Sequence, residues 1–369
     1  MFSLGDAGSL KTWSNVPYFF SKSLSQKGIS VNHVNIEENA FLDTLFRYTI
    51  FALLKLLYPG SYHGFFRSGI NHFLVQRKIQ KAMKRFINSD AHLILSFSFS
   101  VANRSKKPLL LFGDWTYLYS ITILKKRSPY WFEKKALKRE KAALENADLV
   151  VSLFPVSATF IKQHFAQSNC HYLGNVANIN TTLNEIRARK EKENSRLILF
   201  IGNRKYLDGA RELIQAFKGV NELDPDSELH IIGLYESDTR ATGKNMFHYG
   251  YLDKGNLDQN ELYYNLIYKA RVIVNTTRGW GAFSAVTEAM YCYTPVITSA
   301  YGEFMESYGT QLDFGEYAEP GDLTALTKKI LSVLDAPAHK YKTLSENAHK
   351  NAKAHTWENF TEKFTNLIA

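Results

Sequence analysis

The stretch that decides the fold is VIVNTTRGWGAFSAVTEAMYCYTPVITS, at residues 272–299. An apolar run ends at Asn275, a loop containing Gly279 and Gly281 follows, and helical periodicity begins near Ser284. A second apolar run of strand length closes the stretch. Strand, loop, helix and strand in this order are typical of a parallel sheet covered by helices.

The same alternation extends along the whole chain. With 369 residues, the chain exceeds what one hydrophobic core usually serves, so we expect two domains, at 1–180 and 181–369. The polar segment 180–195 separates them as a linker. Helices are predicted at about 17–27 and 131–146, and strands at about 1–4, 30–36, 92–97, 109–112, 149–153, 197–201, 229–232, 246–249, 272–275 and 295–298. This pattern predicts an α/β fold with two Rossmann-like, doubly wound domains.

The composition is that of a soluble globular protein, with 45% apolar and 22% charged residues. The two cysteines, Cys170 and Cys292, form no disulfide framework, which favours a reducing, cytoplasmic compartment. The first residues have no secretory leader pattern. The most apolar run, 41–58, is interrupted by Asp43, Arg47 and Lys55, so we do not expect it to span a bilayer.

The positive charge is concentrated in the first half of the chain. Residues 1–180 hold 23 Lys and Arg against 10 Asp and Glu, whereas the remainder holds 22 against 25. Together with clustered aromatics at 41–73, this predicts peripheral association with an anionic membrane surface, at its cytoplasmic face. Nucleic acid is not expected, because no recognition module is present. A solvated basic face without any partner is the alternative.

The loop and helix after Asn275 have the form of an anion site. The N–H groups of Phe283, Ser284 and Ala285 lie at the predicted helix start, where the macrodipole favours a phosphate, and Gly281 permits close backbone approach. Glu288 lies on the second turn and can accept hydrogen bonds from vicinal hydroxyls, such as those of a ribose.

This stretch resembles the donor motif of the large group 1 family of retaining GT-B glycosyltransferases, in which two glutamates are separated by seven residues. Glu288-Ala289-Met290 and Pro295-Val296-Ile297 match that motif in identity and spacing. The resemblance implies that Glu288 binds the ribose of a nucleotide-sugar donor. Trp280 replaces the first glutamate, and it either stacks on a sugar or the acceptor, or packs the loop.

A second match is LILFIGNRKYLDGARELIQAF at 197–217, which resembles the first C-terminal strand and phosphate loop of that family. After Gly202, Arg204 and Lys205 are the cations that would neutralise the donor diphosphate and support the leaving group. Asp208 replaces the usual lysine before Gly209. Two solvated loop charges are the alternative. The loops after the following strands, at Gly233 and Gly250, would line the nucleotide base.

The N-terminal half offers weaker signals. Ser14 or Asn15 is suited to cap the helix that has Pro17 in its first turn, and this segment is similar to the first loop of the family, near the donor phosphate. Asp114 follows the predicted strand 109–112 and is the candidate general base on the acceptor side. An Asp that caps a turn through its own backbone is the alternative for Asp114.

The resemblance implies a GT-B architecture, in which an N-terminal acceptor domain and a C-terminal donor domain face a central cleft and the last helix, about 356–369, returns to the N-terminal domain. It implies transfer of a hexosyl unit from a nucleotide-diphosphate sugar, a UDP-sugar by preference, to a hydroxyl of a glycan or lipid-linked, lipopolysaccharide-type acceptor, with retention. No metal site is expected, because Asp224-Pro225-Asp226 falls in a turn. A catalytically silent scaffold that binds a nucleotide sugar or another transferase, and sugar-nucleotide epimerisation, remain the alternatives.

Overall fold

The chain forms two compact units, each built around its own sheet. The computed structural model describes residues 1–61, 63–99, 107–278 and 283–368. Unit 1 contains Met1–Gly174 and Thr361–Ala369, and unit 2 contains Asn175–Phe360. Each unit holds a six-stranded sheet whose strand pairs are all parallel, with helices around it. The predicted α/β, doubly wound fold class is confirmed.

The sheet of unit 1 has the strand order β2-β1-β3-β4-β5-β6. Its central strands β4 and β5 are buried and almost wholly apolar, as expected for parallel strands covered on both faces. The predicted strand at 30–36 shortens to two residues, and the one at 92–97 ends at Ile94. The strands are β1 Phe2–Ser3, β2 Val34–Asn35, β3 His92–Ile94, β4 Leu109–Gly113, β5 Leu149–Ser152 and β6 Cys170–Tyr172.

Helices connect these strands in chain order. A π-helix, Arg47–Phe51, joins α2 to α3, so that residues 40–57 are helical throughout. Side chains of Asn39 and Ser68 cap the starts of α2 and α4. The helices are α1 Val16–Gln26, α2 Ala40–Phe46, α3 Ala52–Leu57, α4 Gly69–Arg85, α5 Tyr117–Tyr119, α6 Lys134–Asn146 and α7 Pro155–His164.

The sheet of unit 2 has the strand order β12-β11-β10-β7-β8-β9. Its five predicted strands are present within two residues at either end, and the edge strand β12 is an addition to the prediction. The strands are β7 Leu197–Ile201, β8 Glu228–Ile232, β9 Met246–Gly250, β10 Ala270–Asn275, β11 Val296–Ser299 and β12 Gly315–Ala318.

The segment 180–195, expected to be a linker, is folded into unit 2. Asn184 caps a helix in which Ala188 is fully buried, and Lys192 donates to the carbonyls of Ile267 and Tyr268 at the end of another helix. The helices of this part of the chain are α8 Glu185–Lys190, α9 Leu207–Leu223, α10 Glu236–Thr239, α11 Leu257–Lys269, α12 Ser284–Tyr291, α13 Gly302–Tyr308, α14 Leu323–Leu334, α15 Ala338–Ala352 and α16 Trp357–Ile368.

The last helix contributes to both cores. Within unit 2, Trp357 donates its indole N–H to Asn178 at 2.8 Å. From Thr361 onward the helix belongs to unit 1, where the ring of Phe364 lies edge-on to that of Phe20, with 5.0 Å between centroids. Unit 1 is therefore built from two separate stretches of the chain.

Two histidines inside unit 1 make its stability sensitive to acid. Burial lowers the pKa of His63 and of His72 to about 4, and within the described part of the chain the Nδ1 atom of each ring is buried with no hydrogen-bond partner. Between pH 6.5 and 4 these two histidines are protonated in the unfolded chain but remain neutral in the folded protein. The free energy of unfolding should therefore fall as the pH drops through this range.

Replacing His72 with Phe tests this origin, because the new ring can keep the stacking on Phe99, whose centroid lies 6.1 Å away. We expect the loss of stability between pH 7 and pH 4.5 to shrink by about 1 kcal/mol, after a discount for the partly solvent-facing ring. Urea denaturation at the two pH values measures the change. The same substitution at exposed His339 is the control, and an equal effect there would contradict the assignment.

Candidate functional site

Unit 2 has a topological switch point between β7 and β10. Chain order runs outward from β7 through β8 to β9, and in the opposite direction from β10 through β11 to β12. In open parallel sheets the loops at the carboxyl ends of the strands diverge at such a point and leave a crevice for a ligand. The loops concerned begin at Gly202 and Thr276.

The two loops are held against each other at the start of α9. The hydroxyl of Thr277 donates to the carbonyl of Tyr206 at 3.4 Å, and that of Thr276 donates to the carbonyl of Gly209 at 3.5 Å. A β-carbon added to Gly209 would lie 2.3 Å from Oγ1 of Thr277, so only glycine fits this approach. The start of α9 and the loop after β10 are thus in close backbone contact.

The neighbouring strand ends continue this edge. The N–H of Gly202 donates to the carbonyl of Ile232 at 3.0 Å, and that of Gly233 donates to the carbonyl of Gly250 at 2.6 Å. The Tyr235 ring lies directly over Gly250, where a β-carbon would come within 2.2 Å of it. These are the loops that the sequence predicts at the nucleotide base.

The predicted cation Arg204 is already engaged by a carboxylate. Its Nε donates to Oδ1 of Asp238 at 2.7 Å, and Oδ2 of Asp238 accepts from the N–H of Tyr235 at 3.0 Å. The Tyr235 N–H and then the Arg204 charge hold the pKa of Asp238 below its ordinary value, so the carboxylate stays charged. Lys205 is exposed on the same turn, which Asn203 caps.

Glu288 lies on α12 as predicted, but its carboxylate is buried in an ion pair. Only 3% of the residue is exposed. Its Oε2 accepts from Nζ of Lys254 at 2.5 Å and from the hydroxyl of Tyr263 at 2.9 Å. Burial, reinforced by the charge of Glu288, raises the pKa of Tyr263 well above its usual range, which keeps this phenol a donor. Among the described residues, both donors to Glu288 contact the same oxygen.

Lys254 also ties Glu288 to the first segment of unit 2. Its Nζ donates to the carbonyl of Asn178 at 3.0 Å, and the side chain of Asn180 donates to the carbonyl of Lys254 at 3.0 Å. The Nζ atom lies 4.4 Å from the centre of the Tyr263 ring, a cation–π distance. No pattern in the sequence predicts this partner, because no helix or strand spacing links Lys254 to Glu288.

The start of α12 agrees with the prediction as far as it is described. The helix begins at Ser284, followed by Ala285, and Phe283 precedes it with a buried ring. The first N–H groups of any helix have no partner within it and are available to an anion. Trp280 and Gly281, named above as donor contacts, lie outside the described residues.

The first loop of unit 1 differs from the prediction. Asn15 is the N-cap residue of α1, but its side chain makes no hydrogen bond to the helix N–H groups. Trp13, Ser14 and Asn15 have left-handed φ values of 37°, 54° and 70°, and the Asn15 amide instead donates back to the carbonyl of Leu10. The donated bond fixes the orientation of the Asn15 amide toward the preceding loop and not toward the helix. Each of these three left-handed residues costs of order 1–3 kcal/mol in backbone strain, and strain of this kind clusters at functional sites.

Asp114 follows β4 in the same unit, and its carboxylate is used locally. Oδ1 accepts from the N–H of Trp115 at 2.7 Å, while the main-chain carbonyl of Asp114 accepts from the hydroxyl of Ser157 at 2.7 Å. The carboxylate thus bonds to the adjacent main-chain N–H, which is compatible with the local role weighed above as the alternative. A role as general base stays a prediction.

The described residues contain neither a metal-binding cluster nor a helix that could span a membrane. Across residues 1–61, 63–99, 107–278 and 283–368, no group of three or more His, Cys, Asp or Glu side chains is arranged to hold a metal ion. Over these same ranges, no helix is both long and apolar enough to cross a bilayer.

Comparison with known proteins agrees with this geometry. Residues 182–351 match the model of the family described as glycosyl transferases group 1. A search of curated protein sequences finds no match. The fold resembles sucrose-phosphate synthase from Thermosynechococcus elongatus, with a TM-score of 0.63 and 18% identity over 84% of this chain and 80% of that one.

Two further solved structures match over nearly the whole chain. WaaG, a glycosyltransferase involved in lipopolysaccharide biosynthesis, gives a TM-score of 0.64 at 15% identity over 95% of this chain and 94% of that one. Anabaena HepE, solved in complex with UDP and glucose, gives 0.57 at 17% identity, over 94% and 88%. Residues 182–351 thus match the model of the group 1 glycosyl transferases, and the chain as a whole has the GT-B fold of these solved glycosyltransferases.

Proposed function

We propose that this protein transfers a hexosyl unit from a UDP-sugar to an acceptor hydroxyl, with retention of anomeric configuration and without a metal ion. The observation that carries the proposal is the topological switch point of unit 2, which lies in the segment that matches the group 1 family. The complex of HepE with UDP and glucose supports the choice of donor.

The charges of the donor are assigned to unit 2. In the proposal, the N–H groups at Ser284 and Ala285 bind the distal phosphate, and Lys205 and Arg204 neutralise charge that develops on the leaving diphosphate. Arg204 would exchange Asp238 for phosphate when the donor binds. Glu288 would accept the ribose hydroxyls through Oε1, since its described protein donors contact Oε2.

The acceptor is assigned to unit 1. We propose that Asp114 accepts the proton of the acceptor hydroxyl, after giving up its bond to the N–H of Trp115. The similarity to WaaG and the positive charge of residues 1–180 support a glycan or lipid-linked acceptor at the cytoplasmic face of a membrane.

A charge-removal variant tests the donor site. Arg204→Gln/Lys205→Gln should lower kcat/KM for the donor by at least about tenfold, because two cations that stabilise the leaving group are lost. Both side chains are exposed, so the melting temperature should hold. Lys218→Gln, at the far end of α9, is the control. Unchanged kinetics in the double variant, or no turnover of any nucleotide sugar by folded protein, would contradict the proposal.

A catalytically silent, nucleotide-sugar-binding scaffold is the second candidate. The observations that favour it are two departures from the family pattern: Trp280 replaces the first glutamate of the donor motif, and Asp208 replaces the usual lysine before Gly209. Titration calorimetry separates the candidates. Heat of UDP binding without product formation across a panel of acceptors supports the scaffold.

A further inference from the structure

An unusually apolar helical segment lies exposed on unit 1. Over residues 40–57 the only buried residue is Phe46, and its ring contacts that of Phe65, with 5.8 Å between centroids. Seven large apolar side chains of this segment are at least half exposed: Phe41, Leu45, Tyr48, Ile50, Leu53, Leu56 and Leu57. An exposed apolar patch of this extent marks a surface that binds a membrane or another protein.

Aromatic side chains mark the end of the segment. The indole N–H of Trp131 donates to the hydroxyl of Tyr58 at 3.2 Å, and Trp131 is 70% exposed. The Tyr58 ring also lies 5.0 Å from that of Tyr130. Tyr and Trp rings with one apolar and one polar end concentrate at the boundary between lipid and water.

The charge around residues 40–57 indicates which kind of partner covers them. Residues 37–87 hold eight Lys and Arg against three Asp and Glu. On α4, which follows the 3-10 turn Phe65–Arg67, five of the exposed residues lie along one helical face: Ile70, Phe73, Arg77, Lys81 and Lys84. A second copy of this chain would bring like charges together, whereas an anionic lipid surface complements both the cations and the apolar side chains.

We propose that residues 40–57 form an in-plane membrane helix, which inserts its apolar side chains among anionic lipids while the cations of α4 bind the headgroups. The charges of Asp43, Arg47 and Lys55 are compatible with lying in the interface and not with crossing it. The inference deepens the proposed membrane association of the acceptor, which it assigns to one named surface.

Sedimentation with phospholipid vesicles tests the surface. The protein should bind vesicles of phosphatidylcholine mixed with phosphatidylglycerol, bind vesicles of phosphatidylcholine alone more weakly, and release from the anionic vesicles at high salt. Tyr48→Ser/Leu53→Ser/Leu56→Ser should weaken binding at least about tenfold. The matched control removes equally exposed apolar side chains from unit 2: Ile186→Ser, Leu223→Ser and Leu257→Ser.

A second variant separates charge from apolar insertion and does not disturb the exposed segment. Arg77→Gln/Lys81→Gln/Lys84→Gln should weaken binding to anionic vesicles by a factor on the order of a hundred, and binding to neutral vesicles far less. Lys340→Gln/Lys342→Gln/Lys350→Gln removes three exposed lysines from unit 2 as its control.

The outcomes distinguish this inference from the proposed function. Failure of the wild-type protein to bind anionic vesicles overturns the inference, as does self-association that the apolar variant abolishes, because a second copy would then cover the segment. Turnover of a water-soluble acceptor without vesicles is measured separately. Activity without vesicle binding defeats only the membrane helix, and vesicle binding without activity defeats only the enzyme.

Discussion

Replacement of Lys254 by Met should lower the free energy of unfolding by about 3–5 kcal/mol. The substitution leaves the Glu288 carboxylate, 3% exposed, with the Tyr263 hydroxyl as its remaining donor and with no counter-ion among the residues that the structure describes. A buried charge without its partner is among the most destabilising changes that a single substitution can make. Urea denaturation of the full chain measures the loss.

The matched variants assign that loss to the ion pair. Lys244→Met, at an exposed lysine of the same unit, should change stability by less than about 0.5 kcal/mol. Lys254→Met/Glu288→Gln removes both charges and should recover a large part of the stability, which gives a coupling energy by the double-mutant cycle. Additive losses in that cycle would mean that the two side chains do not interact in solution.

Gly209→Ala should cost about 2–3 kcal/mol and should also abolish donor binding. The added methyl would lie 2.3 Å from Oγ1 and 2.6 Å from the main-chain nitrogen of Thr277, so the start of α9 and the loop after β10 must separate. That separation changes the crevice in which we propose the diphosphate binds. A thermal shift with and without UDP reports stability and binding in one experiment.

Gly219 supplies a control of identical chemistry on the same helix. A β-carbon there would lie 3.5 Å from the Thr327 side chain, an ordinary contact. Gly219→Ala should therefore raise stability by about 0.5–1 kcal/mol, through the smaller entropy of the unfolded chain, and leave UDP binding intact. Equal effects of the two substitutions would show that helix propensity, and not the contact with Thr277, decides the outcome.

The sequence predicts the centre of each sheet better than its edges. Strands such as β5 and β7 are buried on both faces and therefore appear as uninterrupted apolar runs. The missed strands β6 and β12 include polar residues, His171 and Glu316 among them, and lie at the sheet edges. Their strand character depends on the neighbouring strand, which no local pattern reveals.

At the candidate site, too, the sequence predicts what local periodicity determines and misses what tertiary contacts determine. The position of Glu288 on the second turn of α12 follows from local periodicity and is confirmed. Its partner Lys254 comes from a loop, and the Asp238 that holds Arg204 comes from the short helix α10. Whether these segments meet depends on how the strands are ordered. Local spacing predicts which side chain a helix presents, but contacts between loops require the tertiary structure.

Helix α16, which provides the second stretch of unit 1, determines when that unit can be completed during translation. Phe20, which is fully shielded from water, has Phe364 as one of its ring neighbours, and this neighbour is translated only after residues 175–360. The first half of the nascent chain must wait for the second before its own interior is closed. A premature stop before codon 361 would therefore destabilise unit 1, although most of that unit is translated first.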